Sequence, residues 1–520
     1  MNQTTTVDYD VLVVGGGING CGIARDLAGR GLRVVLCEQH DLAAHTSSAS
    51  SKLVHGGLRY LEFGEFALVR KALRERERLL RAAPHIAYPL RFVLPHDRVL
   101  RPLPLMCAGL WLYDHLARRG GLDSSRLIDL RRHAAGAALR PQWHRGFLYS
   151  DGWVDDARLV VLNAIDAAQR GADIRPRTRV EELQRRSDHW QVRLFDAREG
   201  THSLRARAVV NAAGPWADRV AHAAGLHQAR RLRLVKGSHI VLRRWFDIRH
   251  AYLLPNPDRR VVFVLPFGDR HVLVGTTDVE YQGDPGDVRP STQEIDYLCA
   301  SVGRFFAMRP EPRHVVWSYA GVRPLLDEGI AESASTLTRD WRLELDDAGG
   351  APLLHVWGGK ITTYRLLAEQ AAARLAPALG CHAPGWTADA VLPGGDLHAA
   401  LGRAHAGPTD FDEFEHLMRQ RMAWLDPTAL RRLARAYGTR LLHWAGDARR
   451  AADLGAELAP GVFEAELQYA VDHEWAGSAQ DFLWRRSKCG LELAPRHAAA
   501  IEEWFAGNAP ARAAIAEELA

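Results

Sequence analysis

The apolar residues near the start of the chain follow the pattern of a strand, a helix and a second strand. Residues 9 to 14, YDVLVV, are a short, β-branched apolar run that predicts a buried strand. The residues INGCGIARDLAGR that follow predict a helix, and the run LRVVLC, which ends beside Glu38, predicts a second strand. This order is typical of a βαβ unit with a parallel sheet.

The turn between the first strand and the helix carries the spacing G-x-G-x-x-G at Gly15, Gly17 and Gly20. Glycines permit a tight turn, and they let a pyrophosphate approach the N-terminus of the helix. Glu38 stands 23 residues beyond the first glycine, close to the roughly 20 residues at which a carboxylate that holds an adenosine ribose is expected. A glycine-rich turn without a ligand shares the local pattern, but the complete unit favours a bound dinucleotide.

Three further segments help to distinguish FAD from NAD, because both cofactors use this fingerprint. RARAVVNAAGPWAD predicts a strand that runs into Gly214, and PLLHVWGGKITTYRLLAEQAAARL predicts a strand, a turn at Gly358–Gly359 and an amphipathic helix. The N-terminus of that helix can stabilise negative charge on a reduced flavin. SSASSKLVHGG has small side chains that let the main chain lie against a flavin ring. Contacts from such distant parts of a chain favour FAD.

The later parts of the chain show two more patterns. Residues 231–280 predict three strands, RLRLVKGSHIVL, RRVVFVLPF and HVLVGTTD, with a hairpin turn at Gly268–Asp269 between the last two. Residues 389–520 predict amphipathic helices, whose apolar faces could pack on the core, on a second subunit or on a membrane. The charge run RERERLLR at 74–81 predicts a solvated helix face.

Composition narrows the class of protein. The 520 residues are 47% hydrophobic and 25% charged, with a net charge of +5, which is too small for this length to indicate a nucleic-acid partner. The six cysteines form no CxxC pair, so we expect neither a disulfide framework nor a metal site and favour a reducing compartment. The N-terminus has no apolar signal-peptide region, and the longest suspicious apolar run, PLPLMCAGLWLY, is too short to span a bilayer.

Lysine is rare in this chain, because only five of its 67 basic residues are lysine. A bias toward arginine is typical of a GC-rich genome, so a retained lysine suggests a need for a compact point charge. Lys52, Lys236 and Lys360 stand beside glycine-rich or strand-end motifs and are candidates for function. Lys71 and Lys488 stand in helix-like charged surroundings, and we interpret them as ordinary lysines.

Several motifs together resemble one known family: DVLVVGGGINGCGIARDLAGRGLRVVLCE, TSSASSKLVHGGLRYLE, YSDGWVDDARLV, VKGSHIV, VGTTDVEY, GVRPL, WGGKITTYR and FEAELQYAVDHEWAGSAQDFLWRRSKCGL. They resemble the FAD-dependent glycerol-3-phosphate dehydrogenases, the respiratory enzymes that pass electrons to quinone. The resemblance runs from about residue 8 to about residue 505. The first motif is common to many flavoproteins, whereas SSKLVHGGLRYLE and GTTDVEY are far more particular.

The resemblance implies an α/β fold of the glycine oxidase and D-amino acid oxidase type. A Rossmann-like FAD-binding domain would carry an inserted antiparallel β substrate domain, followed by a C-terminal helical domain. We expect the FAD-binding domain at residues 7–85, 146–230 and 315–388, the substrate or cap domain at 86–145 and 231–314, and the helical domain at 389–520.

The resemblance also implies a reaction and a location. The reaction is the oxidation of sn-glycerol 3-phosphate to dihydroxyacetone phosphate, with the C2 hydride passing to FAD and the electrons then passing to a membrane quinone. We therefore expect a cytoplasmic protein that lies peripherally on the inner face of the cytoplasmic membrane, and the family suggests a homodimer. Cofactor contacts are expected at Gly15, Gly17, Gly20, Glu38, Ser47, Ser48, Lys52, His55, Gly214, Gly358 and Gly359.

Substrate contacts are expected at Arg59, Tyr60, Arg323 and Lys360, of which Lys360 could instead contact the flavin. An arginine fork and a point cation suit the phosphate, and a base is needed for the C2 hydroxyl proton. His239 is the preferred base, with Arg59 and Arg323 beside it in the catalytic set. His55 is the rival base, although a flavin contact suits it better. Lys52 is expected to neutralise flavin or phosphate oxygens, with a solvent-facing lysine as the alternative.

Three alternatives stay open from sequence. An amine oxidase of the same fold needs one arginine for a carboxylate, whereas Arg59, Arg323 and Lys360 together favour a phosphate. The electron acceptor could be oxygen in place of quinone, which would make the protein an oxidase. A flavin-binding protein without turnover is the third alternative.

Residues 98–119, RVLRPLPLMCAGLWLYDHLARR, set Trp111 and Tyr113 in an apolar run between arginines. Aromatic side chains at headgroup depth and arginines near anionic lipid are typical of an interfacial membrane element. An ordinary buried helix with charged ends is the alternative.

Overall fold

The computed structural model describes residues 7–96, 101–118, 120–196, 199–225, 232–326, 340–407 and 409–508. Of the segment predicted to lie at a membrane interface, residues 98–100 and 119 are outside these ranges.

The strands are β1 (Tyr9–Val14), β2 (Val34–Glu38), β3 (Leu53–Val54), β4 (Ala87–Pro95), β5 (Arg126–Asp129), β6 (Arg145–Val154), β7 (Asp173–Pro176), β8 (Thr178–Arg185), β9 (Trp190–Asp196), β10 (Gly200–Asn211), β11 (Leu232–Arg243), β12 (Ala251–Pro255), β13 (Val261–Phe267), β14 (His271–Gly275), β15 (Val279–Glu280), β16 (Val315–Leu326), β17 (Trp341–Asp346), β18 (Leu353–Gly358), β19 (Glu457–Ala459) and β20 (Val462–Phe463). The α-helices are α1 (Ile18–Gly29), α2 (Phe66–Ala82), α3 (Leu103–His115), α4 (Asp156–Gln169), α5 (Ala217–Ala223), α6 (Thr292–Phe305), α7 (Tyr364–Leu375), α8 (Leu397–Ala400), α9 (Asp410–Arg421), α10 (Pro427–Tyr437), α11 (Leu441–Ala445), α12 (Glu464–Glu474), α13 (Ala479–Asp481) and α14 (Pro495–Asn508).

The first sheet has the strand order β17-β18-β10-β1-β2-β7, and β8 and β9 extend it from β10. Strand β1 pairs in parallel with β2 and β10, as predicted for a βαβ unit. Val11 and Val13 pack into the core that α1, α4 and α7 cover, whereas Leu12 and Val14 pack into the core on the opposite face. Burial on both faces explains why the strand is continuously apolar.

The second sheet has the order β15-β11-β14-β13-β12-β4-β6-β3, with β16 beside β11 and β5 beside β6. The three strands predicted between residues 231 and 280 appear as β11, β13 and β14. The predicted hairpin at Gly268–Asp269 is confirmed, because Phe267 pairs with His271 across it. Strand β12 was not predicted.

Two strands pair differently from the predicted domain division. β6 and β16 lie in ranges assigned to the FAD-binding domain, yet both pair within the second sheet. An apolar strand fits either sheet by its pattern alone, and only pairing between residues distant in sequence decides its place. The domain boundaries themselves stay a prediction.

The helices of residues 397–508 pack mainly on one another. In α10, Leu430, Leu433 and Tyr437 are buried in a core that they share with Phe414 of α9. The predicted amphipathic helices are confirmed, and the partner of this apolar face is the domain's own core. β19 and β20 form a short hairpin within the same domain.

The charge run at residues 74–81 is solvated only in part, with Arg74 and Arg81 exposed. Glu75, Arg76 and Glu77 of α2 are buried. Arg76 Nη1 donates to Asp151 Oδ1 at 2.7 Å, and Arg365 Nε donates to Glu75 Oε2 at 2.6 Å. The sequence prediction was wrong for these buried residues because charged residues can enter a core when their partners, here distant in sequence, are brought to them.

Helix α3 has both a buried and an exposed side. Leu110 and Tyr113 are each 2% exposed, and the Tyr113 hydroxyl donates to Asp151 at 2.8 Å. Trp111 is 63% exposed and Leu105 is 56% exposed. The prediction that Tyr113 lies at headgroup depth was therefore wrong, since a 3.6-residue repeat turns it toward the core. Among the described residues, no helix has the length and apolarity needed to cross a membrane.

Candidate active site

The glycine-rich turn after β1 leaves no space for a side chain at Gly15 or Gly20. Gly15 has a φ of +113°, and a Cβ atom there would lie 2.6 Å from the Ala212 carbonyl oxygen. A Cβ at Gly20 would lie 1.9 Å from the Gly15 carbonyl oxygen. Only glycine fits such contacts. Gly17 differs, because its φ is −82° and its Cβ would meet only the Ser47 hydroxyl, at 3.0 Å.

The predicted cofactor segments meet at the N-terminus of α1. Ile18 N donates to Ser47 Oγ at 3.0 Å, and Asn19 Nδ2 donates to the Gly358 carbonyl oxygen at 3.1 Å. Gly15 lies against Ala212, which immediately precedes the Ala213–Gly214 turn. A cradle of glycine backbone at a helix N-terminus fits an anionic pyrophosphate, and it brings together N-terminal, middle and C-proximal segments as expected for FAD.

Glu38 ends β2 beside this turn. Its Oε2 accepts a hydrogen bond from Gly16 N at 2.7 Å, and its Oε1 accepts one from His40 N at 2.8 Å. Burial raises the pKa of Glu38 above its usual range. A carboxylate has about four acceptor positions, so the backbone hydrogen bonds to Glu38 leave capacity for a hydroxyl donor. Contact with a ribose stays a prediction.

Lys52 is neither solvent-facing nor directed to open space. Its side chain is 2% exposed, and Nζ donates to both carboxylate oxygens of Asp156, at 3.0 and 2.9 Å. Nζ also donates to the Ser48 carbonyl oxygen at 3.0 Å. The ammonium group therefore belongs to a buried ion pair, and its contact with the cofactor stays a prediction.

The segment between Thr46 and Lys52 joins the cofactor cradle to the second sheet. At one end, Ser47 lies at the N-terminus of α1, and Thr46 Oγ1 donates to the Val322 carbonyl oxygen at 2.7 Å. At the other end, Ser51 Oγ lies 2.9 Å from His239 Nε2. The segment thus connects the glycine-rich turn at the N-terminus of α1 with His239 of β11.

The side chain of His239 is buried. It is 1% exposed, its ring stacks on Tyr319 at 4.8 Å, and a Cβ on Gly275 would lie 2.0 Å from its Cδ2. Burial, followed by the charges of Arg323 and Lys52, holds the pKa of His239 well below its usual range. A neutral imidazole can accept a proton. Nδ1 is buried and has no hydrogen-bond partner among the described residues.

Arg323 lies on β16 beside β11, close to His239. Its guanidinium pairs with Asp278, and Nη2 donates to Thr276 Oγ1 at 3.0 Å. A Cβ on Gly237 would lie 2.5 Å from Nη2, so a glycine in β11 makes room for this arginine. Sequence reasoning did not single out Thr276 and Asp278, although both stand in the motif GTTDVEY.

The other predicted substrate residues form a second group. Arg59 and Tyr60 lie in the 3-10 turn Leu58–Phe63, and Lys360 Nζ is 4.2 Å from the centre of the Tyr60 ring. Arg59 is half-buried and makes no hydrogen bond or ion pair within the part of the chain that the structure describes. Its charge is therefore available to an anionic ligand.

His55 lies near both groups. Its backbone N–H donates to Thr362 Oγ1 at 3.3 Å, and its ring centre is 6.4 Å from that of Phe263. Phe263 pairs with Gly275, the glycine that packs on His239. His55 thus connects the turn that carries Arg59 with the surroundings of His239, and its role as a flavin contact stays a prediction.

The remaining lysines make ion pairs with carboxylates. Lys236 Nζ is 2.7 Å from Glu294 Oε2, which explains this lysine as part of the sheet rather than of the site. Lys71 pairs with Asp340 at 2.6 Å. Lys488, interpreted from sequence as ordinary, reaches Asp155 at 2.6 Å and Asp156 at 2.7 Å with a side chain only 16% exposed. That interpretation was wrong for Lys488.

Two protein families match the chain. Residues 10–365 match the family described as FAD dependent oxidoreductase, and residues 386–507 match the family described as the C-terminal domain of alpha-glycerophosphate oxidase. The first match covers more than half of the chain. The division between the two matches falls close to the predicted start of the helical domain at residue 389.

Curated relatives extend over almost the whole chain. The glycerol-3-phosphate dehydrogenase of Pseudomonas aeruginosa is 48% identical, over 97% of this chain and 96% of its own length. The D-erythritol 1-phosphate dehydrogenase of Brucella abortus is 47% identical, over 95% of this chain and 97% of its own length.

The solved structure of the glycerol-3-phosphate dehydrogenase from Bacillus halodurans, complexed with FAD, superposes with a TM-score of 0.77. It is 28% identical and covers 96% of this chain and 90% of its own. The predicted fold class, an FAD-binding domain with a substrate sheet and a C-terminal helical domain, is confirmed by these matches.

Proposed function

The chain belongs to the FAD-dependent oxidoreductase family and, within it, to the glycerol-3-phosphate dehydrogenases, and from this membership we propose that it oxidises sn-glycerol 3-phosphate to dihydroxyacetone phosphate. Its cofactor is FAD, which supplies the hydride acceptor when bound. The observation that carries the proposal is the position of the buried His239, which lies near Arg323 and 2.9 Å from Ser51 Oγ, at the end of a segment that begins at the cofactor cradle.

Each residue of the site has its own role in this reaction. His239 accepts the proton of the C2 hydroxyl, because its lowered pKa keeps it neutral. Arg59, Arg323 and Lys360 hold the phosphate, since a dianion is bound best by several charge-assisted hydrogen bonds. One amino-acid carboxylate would need fewer cations. This argument supports a phosphate ester over an amine as the substrate.

The proposed reaction is tested by adding sn-glycerol 3-phosphate to the yellow, FAD-loaded protein without oxygen. We expect the flavin absorbance to bleach and dihydroxyacetone phosphate to accumulate in equal amount. Glycine and D-alanine serve as controls for an amine oxidase and should leave the spectrum unchanged. A protein that stays yellow with the phosphate ester but bleaches with an amino acid would contradict the proposal.

D-erythritol 1-phosphate is a second candidate substrate, because a relative named for it is almost as similar to this chain as the glycerol-3-phosphate dehydrogenase of Pseudomonas aeruginosa. Both compounds carry a phosphate ester and a neighbouring secondary alcohol, so the same cations and base would serve. Flavin reduction measured with each compound separately decides between them, and the substrate is the one with the larger kcat/KM.

Removal of either proposed phosphate-binding arginine is expected to weaken substrate use. Arg59→Ala and Arg323→Ala each delete a charge-assisted contact worth about 1.5–3 kcal/mol. Each should therefore lower kcat/KM at least about tenfold, by the usual 1.4 kcal/mol per decade. Steady-state kinetics with sn-glycerol 3-phosphate measures this loss.

Arg131→Ala is the matched control, because Arg131 also pairs with an aspartate, at 2.7 Å, but is 62% exposed and stands in the turn just after β5. Its kinetics should equal those of the unchanged protein. Wild-type kinetics in both site variants would place the phosphate elsewhere. If kcat/KM fell in Arg323→Ala but not in Arg59→Ala, Arg59 would not have its proposed role.

The electron acceptor that we propose is a membrane quinone, and such an acceptor requires the protein to dock on the bilayer. Four large apolar side chains are 47–63% exposed, and we call them the exposed apolar patch: Phe63, Phe66, Leu105 and Trp111. The turn Leu58–Phe63 contacts α3, so the patch spans neighbouring elements. Exposed aromatic side chains suit the headgroup region of a membrane. The patch supports peripheral binding at the inner face of the cytoplasmic membrane.

The double variant Leu105→Glu and Trp111→Glu is expected to lose membrane binding. It places two charges in the patch, whereas buried Leu110 would be the wrong target because a charge there would disrupt the core. Sedimentation with anionic liposomes at low salt should fall together with quinone reductase activity. Activity with a soluble dye should remain, and a loss of dye activity as well would show that the patch is not a docking surface.

Oxygen is the alternative acceptor, and it needs no membrane contact. The rate of reoxidation of the reduced protein by air, compared with that by a quinone in liposomes, separates an oxidase from a quinone-linked dehydrogenase. A homodimer stays part of the proposal on the strength of the family resemblance, and light scattering of the purified protein measures it.

A further inference from the structure

Asp156, the first residue of α4, is a fully buried carboxylate between two lysines. Lys52 Nζ lies 2.9 Å from its Oδ2, and Lys488 Nζ lies 2.7 Å from its Oδ1. Burial alone would raise the pKa of Asp156, but Lys488 and Lys52 outweigh that effect and lower it. Since Lys488 also reaches Asp155 at 2.6 Å, the group holds two cations and two anions.

The same carboxylate fixes the backbone on both sides of Ser51. Asp156 Oδ2 accepts hydrogen bonds from Ser50 Oγ at 2.7 Å and from Ser50 N at 3.3 Å. Lys52 N donates to Ser50 Oγ at 2.9 Å, and Lys52 has a φ of +57°, which a lysine adopts only when its surroundings hold it there. On the other side, the Tyr319 hydroxyl donates to the Ser50 carbonyl oxygen at 2.8 Å.

Ser51, held in this way, is the residue that contacts His239. Its hydroxyl lies 2.9 Å from His239 Nε2, and the imidazole is otherwise confined by the Tyr319 ring and by Gly275. Within the described ranges, this hydroxyl is the hydrogen-bond partner of the imidazole, and it therefore favours one rotation of the ring about the Cβ–Cγ bond. A shift of the Ser50–Lys52 turn would therefore change the direction of both ring nitrogens.

Lys488 belongs to the C-terminal domain. Its segment, residues 485–488, makes ion pairs with the cofactor domain at two places, Asp41 and Asp155–Asp156. Arg486 Nη1 and Nη2 donate to the Asp41 carboxylate at 2.9 and 2.8 Å, and Arg485 Nε donates to it at 2.6 Å. Asp41 stands shortly after Glu38, at the start of the loop that ends at Lys52. The segment 485–488 thus holds both ends of that loop.

We propose that Lys488 is a positioning residue of the substrate site: together with Lys52 it holds Asp156, which fixes the Ser50–Lys52 turn so that Ser51 orients His239. This inference rests on the proposed function, because it gives His239 the role of proton acceptor. It also gives the C-terminal helical domain a part in the reaction, since that domain supplies one of the two cations around Asp156.

The test is a double-mutant cycle of Lys488→Met and Ser51→Ala in the FAD-loaded protein. Methionine keeps the length of the side chain and removes its charge, and serine to alanine removes only the hydroxyl. Each single variant should slow flavin reduction about tenfold, because a misplacement of about 1 Å can cost up to about 100-fold. The substrate concentration for half-maximal rate should change less than twofold. The double variant should be no slower than Ser51→Ala alone, because the two residues act through one contact.

Lys71→Met is the matched control, since Lys71 makes an ion pair of similar length with Asp340 outside the site. It should reduce its flavin at the wild-type rate. Independent effects that multiply in the double variant, or wild-type reduction in Lys488→Met, would overturn the inference. If Lys488→Met does not fold, Lys488→Gln replaces it, and failure of both to fold would make Lys488 a stability residue and reject the inference.

A second readout does not depend on turnover. The imidazole 15N resonances of His239, assigned by their absence in His239→Asn, should move in Lys488→Met and in Ser51→Ala but not in Lys71→Met. Unmoved resonances in Lys488→Met would overturn the inference. If no phosphate ester reduces the wild-type flavin, the proposed function fails, while these resonances still show whether Lys488 positions the ring.

Discussion

Replacement of Gly17 by valine is expected to abolish FAD binding while the protein still folds. The φ of −82° at Gly17 is one that valine adopts without strain, in contrast to the +113° at Gly15. A Cβ at Gly17 meets only the Ser47 hydroxyl, at 3.0 Å, so within the protein only that hydroxyl has to shift. The branched side chain would stand where a pyrophosphate must approach the N-terminus of α1. The ratio of flavin absorbance to protein measures the loss.

The double variant Gly17→Val and Ser47→Ala separates two causes of that loss. If valine acted only by pushing Ser47 aside, removal of the hydroxyl would restore the flavin. We expect no restoration, because the cofactor is the group that is displaced. Far-ultraviolet circular dichroism should show an intact fold in both variants. Normal flavin content in Gly17→Val would contradict the assignment of this turn to the pyrophosphate.

The cofactor half of the site was predictable from sequence because its signals are local. Gly15, Gly17 and Gly20 stand at fixed spacing between a strand and a helix, and such a turn has few other uses. The structure adds the meeting of this turn with Gly358 through Asn19, a contact between residues distant in the chain. No rule based on sequence spacing predicts that contact. The meeting of distant segments was predicted instead from the length of FAD, which is contacted by several separate parts of a chain.

The burial and the ion-pair partners of the charged residues could not be predicted from sequence. The sequence pattern separated Lys52, as a candidate for function, from Lys488, as an ordinary lysine. Both reach Asp156, which is near neither lysine in sequence. Arg76 is similarly hidden in a charge run that predicted a solvated face. The free energy of a buried charge depends on its partners, and the partners are set by the tertiary fold.

Family motifs could have supplied some of what was missed. Thr276 and Asp278 lie in GTTDVEY, and Asp156 lies in YSDGWVDDARLV, both of which carried the family resemblance. Choosing among the residues of such a motif requires knowing which side chains face one another. For Thr276 and Asp278 that knowledge came from the pairing of β11 with β14 and β16, which brings Arg323 to them.

Replacement of His239 by asparagine or alanine is expected to slow flavin reduction by about 10²–10⁴-fold, the usual contribution of a general base. Substrate binding should change much less, because the phosphate is held by other residues. Asparagine is the sharper variant, since its amide can still bond to the Ser51 hydroxyl but cannot accept a proton at neutral pH. Stopped-flow measurement of flavin reduction gives the rate and the binding constant separately.

The pH dependence follows from the lowered pKa of His239. An ordinary histidine would become protonated, and so inactive as a base, when the pH falls through about 6.5. Because the pKa of His239 lies well below that value, the rate of flavin reduction should stay level through that range and fall only in more acidic solution. In His239→Asn the slow residual rate should lack this acidic fall. Reduction at the wild-type rate in both variants, with folded and FAD-loaded protein, would eliminate His239 as the base and leave His55 as the candidate.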